Sequence, residues 1–439
     1  MRSVLRSLLC TLVLVATGCP AKPAAPVAPA IPAAAAAAIF REAAALCDAE
    51  HGRLWGQPLC GPMLLADPAT RQAVLNQATA GAGPDQEVFR LTLPAGTGVA
   101  NTAIDLHGTR WTMLVWPLPE EPTARHILLM HESYHRLQPA LGLEGGGGLG
   151  INGHLDSRAG RIWLRAELHA LRSALESYGE SRRTALGDAL AFRAYRRSLW
   201  PSAAEQERAL ELNEGLAEST GIAAALPLQH ERTQAATRDL ATYETVPSYV
   251  RSFAYATGPA YAELLGAVDP PWRGRVDKSF DFGDATAAAY RLSASAPGAV
   301  AAEAALARHD GQAIVAEEDA RQQATEARDA RFTALFVTGP TVTFPLKQMS
   351  ISFNPNTVQA FGDRGSVYGT LEISDAWGTL RVTSGGALIP PSFDRVIVPA
   401  GAETSADRAA GDGWTATLAS GFTLRPVADK PTSFRVASK

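Results

Sequence analysis

Apolar positions follow two different periods along the chain. Over residues 124–334 they mostly recur at helical spacing, and the clearest case is the segment 161–178. Its apolar residues are four, three, four and three positions apart: Leu164, Leu168, Leu171, Leu175 and Tyr178. This spacing predicts amphipathic helices that each bury one face.

Elsewhere the alternation has a period of two, which is typical of strands. Residues 102–106 and 109–118 flank the dipeptide His107-Gly108 and predict a β-hairpin. After residue 338, short alternating segments are separated by Gly and Pro turns, which predicts a β-sandwich-like domain. We therefore expect an α+β protein. A mainly helical domain with a small antiparallel sheet would cover residues 37–338, and an all-β domain would cover residues 339–439.

Residues 1–19 have the features of a bacterial secretion signal. Two arginines precede the apolar run Leu8–Val15, which is too short for a permanent membrane span. The signal ends in the tetrapeptide ATGC, which resembles a lipobox and implies cleavage before Cys19 and diacylation of its sulfur. The alternative is an ordinary signal peptide with a chance cysteine. The Pro- and Ala-rich residues 20–36 predict an extended tether. The expected location is the periplasmic or cell-surface face of a bacterial membrane.

The cysteine count and the net charge bear on disulfide formation and on the class of binding partner. Of the four cysteines, Cys10 lies in the signal and Cys19 is the lipid site, which leaves Cys47 and Cys60. An even pair in an oxidising compartment predicts a disulfide, with two buried free thiols as the alternative. The net charge of −4 disfavours binding to nucleic acid, so we expect no such partner.

The segment HILLMHESYHRLQ contains the motif H-E-x-x-H at His131, Glu132 and His135. On a helix, residues four apart share a face, so both imidazoles reach one metal ion. Glu132 lies beside them, where it can take a proton from a water molecule that the metal activates. The composition gives about 0.01 such matches by chance. The alternative is a packed histidine pair beside a solvated glutamate.

Together with Asn213-Glu214-Gly215, this motif resembles the gluzincin metallopeptidases, which include thermolysin and the aminopeptidase N-like enzymes. The resemblance implies a zincin-like catalytic domain in which His131, His135 and Glu214 hold Zn²⁺. The separation between His135 and Glu214 is far longer than in the family, and Glu167 is the alternative third ligand.

The same resemblance implies roles for two further residues. Glu218, four positions after the third ligand, would orient a ligand histidine from behind. Tyr255, three positions before a glycine, would donate a hydrogen bond to the oxyanion of the transition state. Tyr249 and Tyr261 are alternatives for that tyrosine, and His154 is a second candidate for holding the oxyanion.

One departure from the family limits the expected activity. None of the five Met residues is followed by Glu, so the Gly-x-Met-Glu-Asn segment of aminopeptidase N-like enzymes is missing. We expect a zinc peptidase of another type, with Glu132 as general base and a peptide or protein substrate. In the wider group an edge strand before the motif helix binds the peptide, and TRWTMLVWPL occupies that place. The alternatives are a catalytically inactive, zincin-like binding lipoprotein and a metal-dependent hydrolase with a non-peptide substrate.

Overall fold

The computed structural model describes residues 31–94, 96–143, 152–354, 357–401, 404 and 409–439. The predicted signal with Cys19, and residues 20–30 of the predicted tether, lie outside these residues. The chain divides into two compact units, the first ending at Asp310 and the second beginning at Gly311. The helices are concentrated in the first unit and the strands in the second, as expected for an α+β protein.

The first unit contains ten α-helices among its described residues, and one π-helical turn, Glu211–Gly215, connects the fifth to the sixth. The helices are α1 Ala33–Glu50, α2 Pro122–Leu137, α3 Arg158–Glu176, α4 Gly179–Ser198, α5 Ala203–Leu210, α6 Leu216–Ala225, α7 Gln229–Glu244, α8 Phe253–Val268, α9 Phe282–Tyr290 and α10 Ala299–Leu306.

The first helix begins earlier than the sequence suggested. The predicted tether, residues 20–36, overlaps α1, which begins at Ala33. The six consecutive alanines from residue 33 onward favour helix, and Ile31 and Ala36 are fully buried. Cys47, near the end of α1, is disulfide-bonded to Cys60 with their Cα atoms 5.7 Å apart.

The sheet of the first unit has six strands: β1 Met63–Ala66, β2 Gln72–Leu75, β3 Gly83–Asp85, β4 Val88–Thr92, β5 Thr102–Leu106 and β6 Thr109–Val115. Their order is β3-β4-β2-β1-β6-β5. The prediction of a purely antiparallel sheet is wrong, because β1 and β6 run parallel. The β5–β6 hairpin turns at His107 and Gly108, both with positive φ as such a turn requires.

The predicted edge strand before the motif helix is not at the edge of the sheet. The segment TRWTMLVWPL forms β6, which is interior because β1 and β5 pair with its two sides. Its Trp111 is fully buried in the core, whereas Trp116 is half-buried. The strand at the edge is β5.

Helix α2, which carries the H-E-x-x-H motif, has a well-defined start. Pro122 is its first residue, and the Glu121 carboxylate accepts hydrogen bonds from the amides of Thr123 and Ala124. The helix packs against α6, where a Cβ atom on Gly221 would lie only 2.7 Å from the carbonyl oxygen of Ile127. Gly221 therefore allows the close approach that brings α6 beside the motif.

The second unit begins with a helix, α11 Gly311–Thr333, and continues with strands β7 Thr341–Pro345, β8 Ser350–Phe353, β9 Val358–Ala360, β10 Ser366–Tyr368, β11 Leu371–Asp375, β12 Gly378–Val382, β13 Ala387–Ile389, β14 Arg395–Pro399, β15 Ala410–Gly411, β16 Trp414–Leu418, β17 Phe422–Val427 and β18 Lys430–Ser438. They form a seven-stranded sheet, β17-β18-β7-β14-β13-β10-β9, and a five-stranded sheet, β15-β16-β12-β11-β8.

Both sheets contribute to one core, including Phe344 and Val396 from one and Ile373 and Trp414 from the other, which makes the unit sandwich-like. It is not all-β and does not begin at residue 339 as expected. The end of α11 belongs to it because the ring of Phe332 packs edge-on against Phe361. Within the described ranges, no helix of either unit combines the length and the apolar character that a membrane span requires.

Candidate metal centre

Two histidines of one helix and a glutamate from a distant part of the sequence converge at one point in the first unit. The Nε2 atoms of His131 and His135 on α2 are 3.1 Å apart. The Oε2 atom of Glu214, on the π-helical turn, lies 3.6 Å from each of them. Within the described residues, these three form the one group of His, Cys, Asp or Glu side chains arranged closely enough to share a metal ion.

Hydrogen bonds at the Nδ1 atoms fix the orientation of both imidazole rings. Nδ1 of His131 is 2.7 Å from Oε2 of Glu218, and Nδ1 of His135 is 3.0 Å from Oε1 of Gln138. An acceptor beside each Nδ1 favours the tautomer with the proton on Nδ1, which is the form whose Nε2 can bind a metal ion. The sequence indicated Glu218 for this place through the resemblance, whereas it gave no indication of Gln138.

The donor set matches what zinc binds. Two nitrogens and one carboxylate oxygen are a common catalytic zinc set, and ligand atoms roughly 2.0–2.1 Å from one ion in tetrahedral geometry lie about 3.3 Å from each other. The three observed separations, 3.1, 3.6 and 3.6 Å, bracket that value. The residues therefore fit a zinc ion.

The position of Glu214 depends on the π-helical turn and on a contact between two glycines. A Cβ atom on Gly258 of α8 would lie 2.4 Å from the Cα of Gly215, so only glycine lets α8 approach the turn this closely. This contact brings Tyr255 close to Glu214. The Tyr255 hydroxyl donates a hydrogen bond of 2.5 Å to Oε2 of Glu214. Single π-helical turns inside helices are frequent at functional sites.

Several contacts surround the Glu214 carboxylate, and some of them favour its ionised form. Its Oε1 accepts hydrogen bonds from the Asn213 amide at 3.0 Å and from Arg251 at 3.1 Å. Burial opposes ionisation, but the hydrogen bonds from His131, His135 and Tyr255 hold the pKa of Glu214 well below its usual range. Conversely, burial alone would lower the pKa of His131, but its contacts with Glu214 and Glu218 raise it to about 10.

Glu132 has the environment of a buried, reactive carboxylate. It is 4% exposed, lines the cavity in front of the histidines, and its Oε2 atom has no hydrogen-bond partner among the described residues. Burial raises its pKa above the usual range, although His131 and His135 partly offset this effect. A raised pKa suits a group that must accept and then return a proton near neutral pH.

Among the candidate oxyanion donors, only Tyr255 lies at this centre. Its ring stacks on His131 with the centroids 5.7 Å apart. The hydroxyl of Tyr249 instead donates to the Glu244 carbonyl, and that of Tyr261 donates to Glu167. His154 lies against Glu207 and the ring of Trp200.

The alternative third ligand, Glu167, belongs to a different buried cluster. Its carboxylate contacts Arg196, Arg193 and the hydroxyl of Tyr261 rather than the histidines. We call this group the arginine cluster and define it by three guanidinium groups and four carboxylates: Arg193, Arg196, Arg197, Glu167, Glu207, Glu211 and Asp281. Glu211 begins the same π-helical turn that carries Glu214, so one turn connects both clusters.

A cavity of about 980 Å³ opens in front of the three converging side chains. One wall is the edge strand β5 with the residue before it, and the opposite wall includes Asp239 and Tyr243 of α7 together with Arg251. The sequence interpretation missed this second wall. Its residues follow no motif, and only the packing of α7 and α8 brings them to the centre.

Comparisons with known proteins give no identification. No protein-family model, no curated protein and no solved structure matches the chain.

Proposed function

We propose that the chain is a zinc-dependent hydrolase of peptide bonds, with a zincin-like first unit of the gluzincin type. The observation that carries the proposal is the convergence of two Nε2 atoms and one carboxylate oxygen beside the buried Glu132. In this reading His131, His135 and Glu214 hold the ion. Zinc supplies Lewis-acid activation of a water molecule and of the scissile carbonyl.

The surrounding residues then have distinct tasks. Oε2 of Glu132 accepts the proton of the attacking water and returns it to the nitrogen of the departing amine. Tyr255 turns its hydroxyl from Glu214 toward the oxygen on which negative charge develops. Glu218 holds the Nδ1–H of His131, which keeps the ring in the tautomer whose Nε2 binds metal.

The wall of the cavity supports the proposal of a peptide substrate. Asn101, Thr102 and Ala103 line it, and β5 has one unpaired side because it is the edge strand. An extended peptide can add to such an edge through main-chain hydrogen bonds. The lining residues of α2 run from Ala124 to His135, so the cavity follows most of the helix, which suits an extended peptide.

We further propose that the protein acts outside the cytoplasm, anchored by a lipid on Cys19. The Cys47–Cys60 disulfide supports an oxidising compartment, where such bonds persist. The Cys19→Ser variant should leave the membrane fraction for the soluble one, and mass spectrometry of the wild type should find diacylglycerol on Cys19. A wild-type chain without lipid at this residue would contradict the anchor.

The catalytic proposal is tested with Glu132→Gln. The purified wild type should hydrolyse members of a mixed set of fluorogenic peptides, and the variant should lose about 10²–10⁴-fold in kcat because the general base is gone. Zinc content should be the same in both proteins. His126→Ala, a histidine of the same helix that faces Glu42 instead of the centre, is the matched control and should keep full activity. Undiminished turnover in Glu132→Gln would overturn the proposed mechanism.

A further inference from the structure

The cavity has a carboxyl group that the proposed mechanism does not use. Asp239 of α7 lines the cavity together with Ala124 and Ile127 near the start of α2. The same three residues also line a neighbouring cavity of about 430 Å³. Asp239 therefore faces the end of the cleft where α2 begins, rather than the metal ligands.

This carboxyl is half-buried and gains no partner from the described residues. No side chain or amide of the described residues forms a hydrogen bond or ion pair with it, and its charged surroundings are the Glu218 carboxylate and the exposed Arg238. Burial first, and then repulsion from Glu218, raise the pKa of Asp239 to about 8.

A second acidic residue of α7, by contrast, has ion-pair partners. Glu244 contacts Arg165 at 3.1 Å and His169 at 2.8 Å, and these contacts, working against burial, lower its pKa. The two cavity-lining arginines are not available to Asp239 in this way. Arg110 pairs with Asp105 at 2.9 Å, and Arg251 contacts Glu214.

We propose that Asp239 forms a subsite for a cationic group of the substrate, either an α-ammonium group or a Lys or Arg side chain. This inference rests on the proposed peptidase function, because it assigns part of that cleft. A bound cation would give the carboxylate the partner that the described residues do not provide, and would reverse the effect of the neighbouring Glu218. A second metal ion fits less well, since the three-donor groups of the described residues do not include Asp239.

The position of Asp239 along the cleft indicates how many substrate residues separate the cationic group from the bond that is cleaved. A helix rises about 1.5 Å per residue, so Ala124 and Ile127 lie about 6 to 10 Å along α2 from His131. An extended peptide advances about 3.3 Å per residue. The cationic group would therefore belong to a residue two or three positions from the bond that is cleaved.

Binding measurements in the Glu132→Gln background test the subsite without relying on turnover. The probes are penta-alanine amide with a free or an acetylated N-terminus, and acetylated penta-alanine amides with one Lys at each of the five positions. At least one cationic probe should bind about 10- to 100-fold more tightly than acetylated penta-alanine amide, as expected for a charge-assisted hydrogen bond. Asp239→Asn should abolish this preference while leaving the affinity for the neutral probe within about twofold.

The pattern of binding identifies the cation and keeps the two proposals separate. A preference for the free N-terminus indicates recognition of the α-ammonium group, and a preference for one Lys position indicates a side-chain subsite. Asp284→Asn, an exposed carboxyl of α9 outside the cleft, is the matched control, and Asp239→Ser is a second variant should Asp239→Asn fail to fold. The subsite is overturned if no cationic probe binds better than the neutral one, or if the preference survives in Asp239→Asn. Zinc content and wild-type turnover report separately on the peptidase proposal.

Discussion

Two buried charged clusters lie side by side in the helical unit, and they differ in how their charge is balanced. In the arginine cluster, three guanidinium groups neutralise all but one of four carboxylates. At the metal centre, the carboxylates of Glu132, Glu214 and Glu218 face two imidazoles and the exposed Arg251. The first cluster is nearly complete by itself, whereas the second leaves two imidazole lone pairs and an excess of negative charge directed at one point.

This difference separates a structural cluster from a binding site. Buried charges are stable only when paired, and the arginine cluster achieves this with residues of α3, α4 and α5, the π-helical turn and the start of α9. The candidate metal centre has no buried guanidinium group among the described residues. Burial opposes a charge on His131, but its contacts with Glu214 and Glu218 raise its pKa to about 10.

The largest effect is expected from breaking the arginine cluster. Glu207→Ala removes the carboxylate that pairs with Arg196 at 2.8 Å and with Arg197 at 2.8 Å, and leaves both cations buried. The free energy of unfolding should fall by about 3–5 kcal/mol. Chemical denaturation measures this loss, and the folded variant should keep its zinc. A loss of zinc from correctly folded Glu207→Ala would show that the two clusters are not independent.

A smaller effect, confined to catalysis, is expected from Tyr255→Phe. Removing one donor to a developing oxyanion typically lowers kcat about 10²–10³-fold. Zinc affinity should hardly change, because both histidines and Glu214 remain. Steady-state kinetics and metal titration are measured together, with Tyr243→Phe as the matched control on the same wall. If zinc affinity falls and kcat does not, Tyr255 serves only to position Glu214.

The contact behind the metal ligands is tested by Glu218→Gln and Glu218→Ala. Losing the carboxylate next to Nδ1 of His131 should weaken zinc binding about 10- to 100-fold, with the alanine variant weaker than the glutamine variant. Competition with a chromogenic chelator measures the affinity. Unchanged affinity in both variants would remove Glu218 from the account of the centre.

The smallest effect concerns the acid stability of the metal-free protein. Burial opposes ionisation of Glu207 and Asp281, but the neighbouring arginines outweigh it and hold their pKa values below the usual range. Because these values are lower in the folded than in the unfolded chain, the stabilisation is full above the unfolded values of about 4 and is lost as the pH falls further. Denaturation in the presence of chelator should therefore show falling stability below about pH 4, and Glu207→Gln should show a shallower slope. An equal slope in both would contradict the sign of the shift.

The sequence interpretation was most informative where chemistry depends on local spacing. The H-E-x-x-H motif needs only one helix, so its geometry followed from the four-residue separation of His131 and His135. The hairpin at His107-Gly108 is equally local, and the structure has it at the predicted residues. Glu214 was indicated by the Asn-Glu-Gly resemblance rather than by spacing, since several helices separate it from α2.

The parts that the sequence did not reveal depend on distant contacts. The arginine cluster draws on residues from 167 to 281, and no periodicity links Glu167 to Arg196 or Asp281. The sequence presents Asp239 as an ordinary polar residue of a helix, and only the packing of α7 against α8 places it in the cleft. The parallel β1–β6 pair and the place of α11 in the second unit were missed for the same reason. Tertiary packing decides which strands pair and where a helix docks.

The central claim is that the first unit holds one zinc ion between His131, His135 and Glu214. It is tested most directly by metal analysis of the purified chain after zinc loading and removal of excess metal, beside Glu214→Ala, Glu167→Ala and the control His126→Ala. The account predicts about one zinc per chain in the wild type, in His126→Ala and in folded Glu167→Ala, and almost none in Glu214→Ala. A correctly folded wild type that retains no zinc, or a Glu214→Ala variant that binds it as tightly as the wild type, would contradict the account.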